Sequence, residues 1–454
     1  MVGVLLLGIH AFFAAPQYPM AARAGAAALG TLAFAVIQRT TTKHLPFLAV
    51  VAVTQYVFFG FPVFKARRLV GVGGPIPISE TSLTYAVWAV VLFLVVVLIT
   101  ARMAKRIGEW LSPVVRRLFP DPRSLTGSFM VRAFSVFSIG LLVVAWFVGV
   151  KGRESTSLAT VASLVAAEQL IQTILYRDWH ATKSPISRAW FFGYTAAASI
   201  AGLLTGMLGL ALFPWLAALV LGWQLSGRLS TRAIALMFLA FVVLTPAKHL
   251  YRQQVWRGGD VAISQRFDVW TAAVEQSWSS DRKTSGHVDA AADRLSALLF
   301  VAQAIEWVPR NVGHSGSSRW KLIPMSYIPR FLWPEKPDLT RAYNGEYALS
   351  FGLQTEMGIR STALNLPHVL DGYWAYGWWG VIAVGVIIGG LVGFYEGLFD
   401  PANPVLHALG MTYLFKMHAE GHVGLFFTGV PQIFLVSLAI MWFLWAARMF
   451  VPVR

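Results

Sequence analysis

The chain has 454 residues, of which 56% are hydrophobic and only 13% charged, with 37 Lys+Arg against 21 Asp+Glu and no cysteine. Soluble globular domains carry about 25% charged residues, so this composition excludes an ordinary soluble enzyme, and so high an apolar share excludes disorder. The missing cysteines exclude disulfides, thiolate metal sites, Fe–S ligation and a cysteine nucleophile, and a formal charge of +16 on so apolar a chain reads as basic membrane loops before it reads as nucleic-acid binding.

Apolar runs of spanning or near-spanning length fall at 2–16, 20–38, 46–64, 83–101, 131–150, 158–176, 190–208, 209–223, 233–249, 378–397, 403–421 and 424–447. The sequence thus predicts an all-α polytopic membrane protein, one integral membrane domain over 1–454 with about twelve transmembrane helices at roughly 20 residues each. The first run has no basic flank and no cleavage site behind it, and reads as a retained helix. The loop at 102–130 carries Arg102, Lys105, Arg106, Arg116, Arg117 and Arg123 and is cytoplasmic by the positive-inside rule. Counting from it places both termini in the cytoplasm and leaves residues 247–377 as one large exterior loop. Lys65, Arg67 and Arg68 then fall outside against the rule, either by simple tolerance or as an anion site.

The exterior segment is densely charged yet nearly neutral. Residues 289–308 have helical spacing, with Leu295, Leu298, Leu299, Ala302 and Ile305 on one face and Pro309 ending the helix. A stretch rich in Pro and aromatics follows, from Trp320 to Pro337, suited either to an interfacial aromatic belt or to stacking sugar rings. Basic residues are interleaved: Arg310, Arg319, Lys321, Arg330, Lys336, Arg341 and Arg360. Arginine forks match phosphate oxygens. His368 and Asp371, three apart behind Pro367, share one face of a helix that starts there, which allows the carboxylate to orient the imidazole. Lys416, His418, Glu420 and His422 cluster at the end of a later run, in an order that is not the HExxH zinc pattern. Glu168 is an acid inside an apolar run, read as a polar tie between helices. The Gly-rich run 380–393 reads as a close helix-packing surface rather than a nucleotide site.

Ile328-Pro329-Arg330-Phe331-Leu332-Trp333-Pro334-Glu335-Lys336-Pro337 resembles the IPR-x-LWP-x-KP signature of oligosaccharide repeat-unit polymerases, the Wzy-type O-antigen and exopolysaccharide polymerases. Asp293-Arg294-Leu295, the stretch Ala304–Pro309 and the glycine-rich helix from Gly377 resemble the same group, so the likeness covers about 290–395. The resemblance implies a metal-independent glycosyltransferase with a GT-C-like bundle, no cofactor, and an active site at the outer face of a bacterial inner membrane. The implied substrate is an undecaprenyl-diphosphate-linked oligosaccharide, with membrane lipids, a flippase and a chain-length regulator as partners and no nucleic acid. Such transfer needs stabilisation of the departing diphosphate and a base for the acceptor hydroxyl. The implied diphosphate and substrate contacts are Arg330 and Arg294 first, then Lys336, Arg341, Arg360, Arg67, Arg68, Lys416 and His418. The base candidates are His368, Asp371 and Glu335, with Glu306 and Glu356 behind them. An O-antigen ligase acting on a lipid A core and a lipid-linked glycan flippase are the alternatives.

Overall fold

The computed structural model describes residues 2–64, 77–119, 131–140, 156–257, 261–279, 297–328, 333, 335–337, 339–353, 355, 366–414, 423–427 and 430–449. Among these the chain is all-helical, and every apolar run named above carries a helix. Six helices are long and apolar enough to cross a membrane: Met20–Arg39, Phe47–Phe64, Glu80–Arg117, Leu208–Ser226, Thr231–Val255 and His368–Leu398. Shorter apolar helices occupy Gly3–Phe13, Val131–Gly140, Leu298–Trp307, Val405–Leu414 and Ile433–Ala446. The helix expected over 289–308 is described as Leu298–Trp307 and stops short of Pro309, whose ring cannot continue it.

The chain divides into two compact units. The first comprises Met1–Pro113, Leu295–Asp400 and Tyr413–Gln432. Its spine is the pairing of the 80–117 helix with the 368–398 helix, and glycine makes it possible. A Cβ on Gly389 would strike Thr100 and the backbone of Val97; on Gly393, the carbonyl of Ala101; on Gly397, the carbonyl of Lys105. Gly108 meets the carbonyl of Phe394 in the same way. Four-residue spacing keeps these glycines on one face, and two backbones approach where no side chain intervenes. Lys105 Nζ closes the seam by donating to Glu396 Oε1 at 3.1 Å.

The 368–398 helix is not continuous. Tyr376 (φ −146°, ψ 26°) and Gly377 (φ 60°, ψ −139°) leave the helical region. The conformation of Gly377 is open only to a residue without Cβ. Residues eight apart in a straight helix are separated by about 12 Å, yet a Cβ on Gly372 would lie 2.6 Å from the carbonyl oxygen of Gly380. The chain therefore folds back, and His368–Ala375 is a half-helix lying alongside the start of the longer segment. The loop before Arg319 closes its C-terminal end. Ser315 N donates to Trp374 O at 3.0 Å, Gly316 N to Ala375 O at 3.2 Å, and Trp374 Nε1 to Gly313 O at 3.0 Å. The exposed rings of Tyr376 and Trp379 mark the bend.

The second unit comprises Val114–Arg294, Pro401–Thr412 and Ile433–Arg454. Thr156–Thr182 and Pro185–Leu204 form a helical hairpin, with Ser184 accepting the N–H of Ile186 and Pro185 in the first helical position. The turn after Leu204 is gripped from the following helices. Tyr251 stacks on Trp270 at 4.6 Å, and Tyr251 Oη and Trp270 Nε1 donate to the carbonyls of Leu204 and Leu203. Arg252 Nε reaches Gly206 O at 2.8 Å. Arg177 Nη1 pairs with Pro401 O at 2.8 Å and His407 Nδ1 at 3.1 Å, and His407 Nε2 meets Gln224 Oε1.

Candidate functional site

The half-helix carries the site. Pro367 is its N-cap, so His368 opens it and Asp371 follows one turn on, both buried. Asp371 does not turn to the imidazole. Its Oδ1 accepts from Arg319 Nε at 2.9 Å, and its Oδ2 accepts the backbone N–H of Val423, at the start of the short helix Val423–Phe427, at 3.2 Å. A guanidinium competes better for a carboxylate than a neutral ring does. His368 instead places Nε2 3.0 Å from Gln55 Nε2 and packs its ring on Phe93 at 4.8 Å and Phe426 at 5.4 Å.

Arg319 and Asp371 both have 0% side-chain exposure. The guanidinium lies 4.6 Å over the Trp374 ring and 5.1 Å over that of Tyr343. Only Nε is spent on the carboxylate: Nη1 and Nη2 are buried and have no hydrogen-bond partner among the described residues. The buried hydroxyl of Tyr347 is likewise unpartnered. Burial pushes both phenols upward; Asp371 adds to this at Tyr343, and Arg319 opposes it at both. They stay protonated at neutral pH. A buried cation with two bare NH2 groups is costly unless something fills the gap. A planar fork facing inward from an aromatic wall can grip a pair of anionic oxygens.

The structure places the sequence-derived candidates unevenly. His368 and Asp371 come together on the half-helix. Glu335 is exposed, and Lys336 is half-buried with Nζ donating to Ser326 O at 3.2 Å and Ile328 O at 2.9 Å, a tie that holds its own loop. Arg341 lies on the helix Leu339–Ser350, its side chain outside the described residues. Arg330, Arg294, Arg360, Arg67, Arg68, Lys416, His418 and Glu356 also lie outside the described residues. Glu420 and His422 do too. Two members of the site are not among the sequence-derived site candidates: Arg319, one of several interleaved basic residues, and Gln55, whose signal is a polar residue in the middle of the apolar run 46–64.

Glu306 serves the fold. Its Oε2 accepts from Ser79 N at 3.1 Å and Ser79 Oγ at 2.5 Å, at the head of the 80–117 helix. Burial pulls its carboxyl upward, but the donors from Ser79 and Ser82 and the charge of Arg310 outweigh that and hold it below the usual range. A lowered carboxylate contributes stability above its unfolded value of about 4.3 and loses it as pH falls through the folded value. Glu306→Ala is therefore expected to lower the thermal unfolding midpoint in detergent at pH 7. That difference from wild type is expected to shrink below pH of about 4; a difference independent of pH would assign the loss to packing.

Residues 191–396 match the family model described as a domain of unknown function (DUF8712), a stretch that contains Arg319, His368 and Asp371. No curated protein and no solved structure matches the chain.

Proposed function

We propose that this chain is a GT-C-like membrane glycosyltransferase of about twelve spans that polymerises undecaprenyl-diphosphate-linked oligosaccharide units at the outer face of a bacterial inner membrane. One observation carries the reading: Arg319 is fully buried beside Asp371 while both of its Nη groups are without a hydrogen-bond partner among the described residues. In this reading the bare fork takes the diphosphate of the lipid-linked donor, and the signature residues Arg330 and Lys336 belong to the same exterior segment. The bond from the anomeric carbon to the diphosphate oxygen breaks, and the negative charge leaves with the diphosphate toward Arg319. The acceptor hydroxyl oxygen bonds to the anomeric carbon and gives up its proton. Asp371 serves as counter-ion and orients Arg319. His368, one turn earlier on the half-helix, is the described group that takes the proton. No cofactor enters this scheme.

The test is product formation by the purified chain from a synthetic lipid-diphosphate-linked repeat unit in EDTA. Wild type is expected to give a ladder of oligomers, and Arg319→Ala none. Persistence of the ladder in Arg319→Ala would sink the assignment. Transfer only after a lipid A core acceptor is added would indicate the ligase. A second reading, transport of the lipid-linked glycan, is favoured by the folded-back half-helix, since broken helices recur at transporter binding sites. Translocation between leaflets without any new glycosidic bond would select it.

A further inference from the structure

The helical hairpin of the second unit contains a set of buried oxygens that the reading above does not use. Glu168 Oε1, Gln169 Oε1, Gln172 Oε1 and Ser199 Oγ are each buried without a hydrogen-bond partner among the described residues. Relative exposures are 7% for Glu168, 3% for Gln169, 0% for Gln172 and 8% for Ser199. Helix register sets them within about one turn of each other along the hairpin. Gln172 Nε2 donates to Thr195 Oγ1 at 3.0 Å and to Pro214 O at 2.7 Å, which fixes the amide and turns its carbonyl away from those two partners. The two helices are antiparallel across the turn at Ser184, so moving back one turn from Gln172 matches moving on one turn from Thr195. That step sets Glu168 opposite Ser199. Gln169 lies on the same turn as Glu168, one turn before Gln172.

A polar tie between helices would spend these oxygens on one another or on backbone donors. Among the described residues they are not spent, and each has a lone pair free to ligate. Three carbonyl-type oxygens and one hydroxyl oxygen without a partner suit a hard cation, which takes oxygen ligands from carboxylate, amide carbonyl and hydroxyl groups. The charge selects the ion: one carboxylate neutralises one positive charge, whereas a divalent ion would leave a net charge in an apolar helix bundle at large cost. We infer that Glu168, Gln169, Gln172 and Ser199 form a binding site for a single sodium-sized monovalent cation within the second unit. This inference stands apart from the glycan reading and survives its failure.

The experiment uses the purified full-length chain in detergent. Radiolabelled sodium binding is measured by equilibrium dialysis, and thermal unfolding is followed while sodium chloride replaces choline chloride at constant ionic strength. Wild type is expected to bind sodium saturably at one ion per chain and to unfold at a higher temperature in sodium than in choline. Glu168→Gln, close to isosteric, is expected to lose both effects. Ser199→Ala, which removes one hydroxyl and leaves the helices intact, is expected to bind sodium more weakly. Wild type without saturable binding, as ordered water in place of an ion would give, overturns the inference. So does Glu168→Gln or Ser199→Ala binding with wild-type affinity.

Discussion

Asp371→Ala is expected to destabilise the chain by about 3–5 kcal/mol, the usual cost of stranding one member of a buried ion pair. The loss should exceed that of an ordinary polar truncation because two ties go at once. Arg319 is left fully buried without its counter-charge, and the N–H of Val423 loses its acceptor. The double variant Arg319→Met with Asp371→Leu separates folding from function. Two apolar side chains of similar reach remove the stranded charge, so stability is expected to return most of the way. The double variant is still expected to form no glycosidic bond, because the fork that would take the diphosphate is gone. Denaturation in detergent, read by near-ultraviolet circular dichroism, supplies the first measurement and the oligomer ladder the second. A single Asp371→Ala variant as stable as wild type would mean that water reaches the guanidinium.

The second large effect lies in the glycine seam. Gly393→Leu is expected to cost at least the 1–3 kcal/mol typical of overpacking, since the new side chain would meet a backbone carbonyl that cannot rotate aside. Gly390 provides the control: a Cβ there meets nothing within 4 Å. Gly390→Leu is expected to be neutral within about 0.5 kcal/mol. The pair differs by three positions on one helix, so composition, insertion and helix propensity are nearly matched. Comparable losses in yield and unfolding temperature for both variants would show that the two helices do not pack through this face.

That seam was legible in the sequence because small residues at four-residue spacing have few other uses in an apolar helix. The start of the half-helix was legible too, since Pro367 before a His and an Asp fits a helix opening. Its reversal was not. Gly377 sits among Tyr376, Trp378 and Trp379 at the edge of the apolar run 378–397, and hydropathy carries no information about chain direction. The partner of Asp371 was hidden for a different reason. Arg319 lies 52 positions away and is covered by aromatic rings from two separate stretches of sequence, Tyr343 and Trp374. Charge alone read it as a loop residue of an exposed segment. The same bias singled out Glu335 and Lys336, of which one is exposed and the other holds its own loop.

The half-helix also bears on how the molecule is made. Eight residues with a histidine and an aspartate among them fall well short of the roughly 20 apolar residues that insertion machinery releases into lipid. His368–Ala375 must be sheltered by protein that is already in place. Phe93 and the loop 313–316 that closes its carbonyl end both emerge before it. Val423 and Phe426 emerge only after it. The site is thus completed only after the half-helix is made: a nascent chain halted at residue 400 would lack the helix Val423–Phe427, whose first N–H completes the bonding of Asp371. Quality-control proteases that sample unfinished membrane proteins would meet this chain with a polar half-helix still waiting for its last contact.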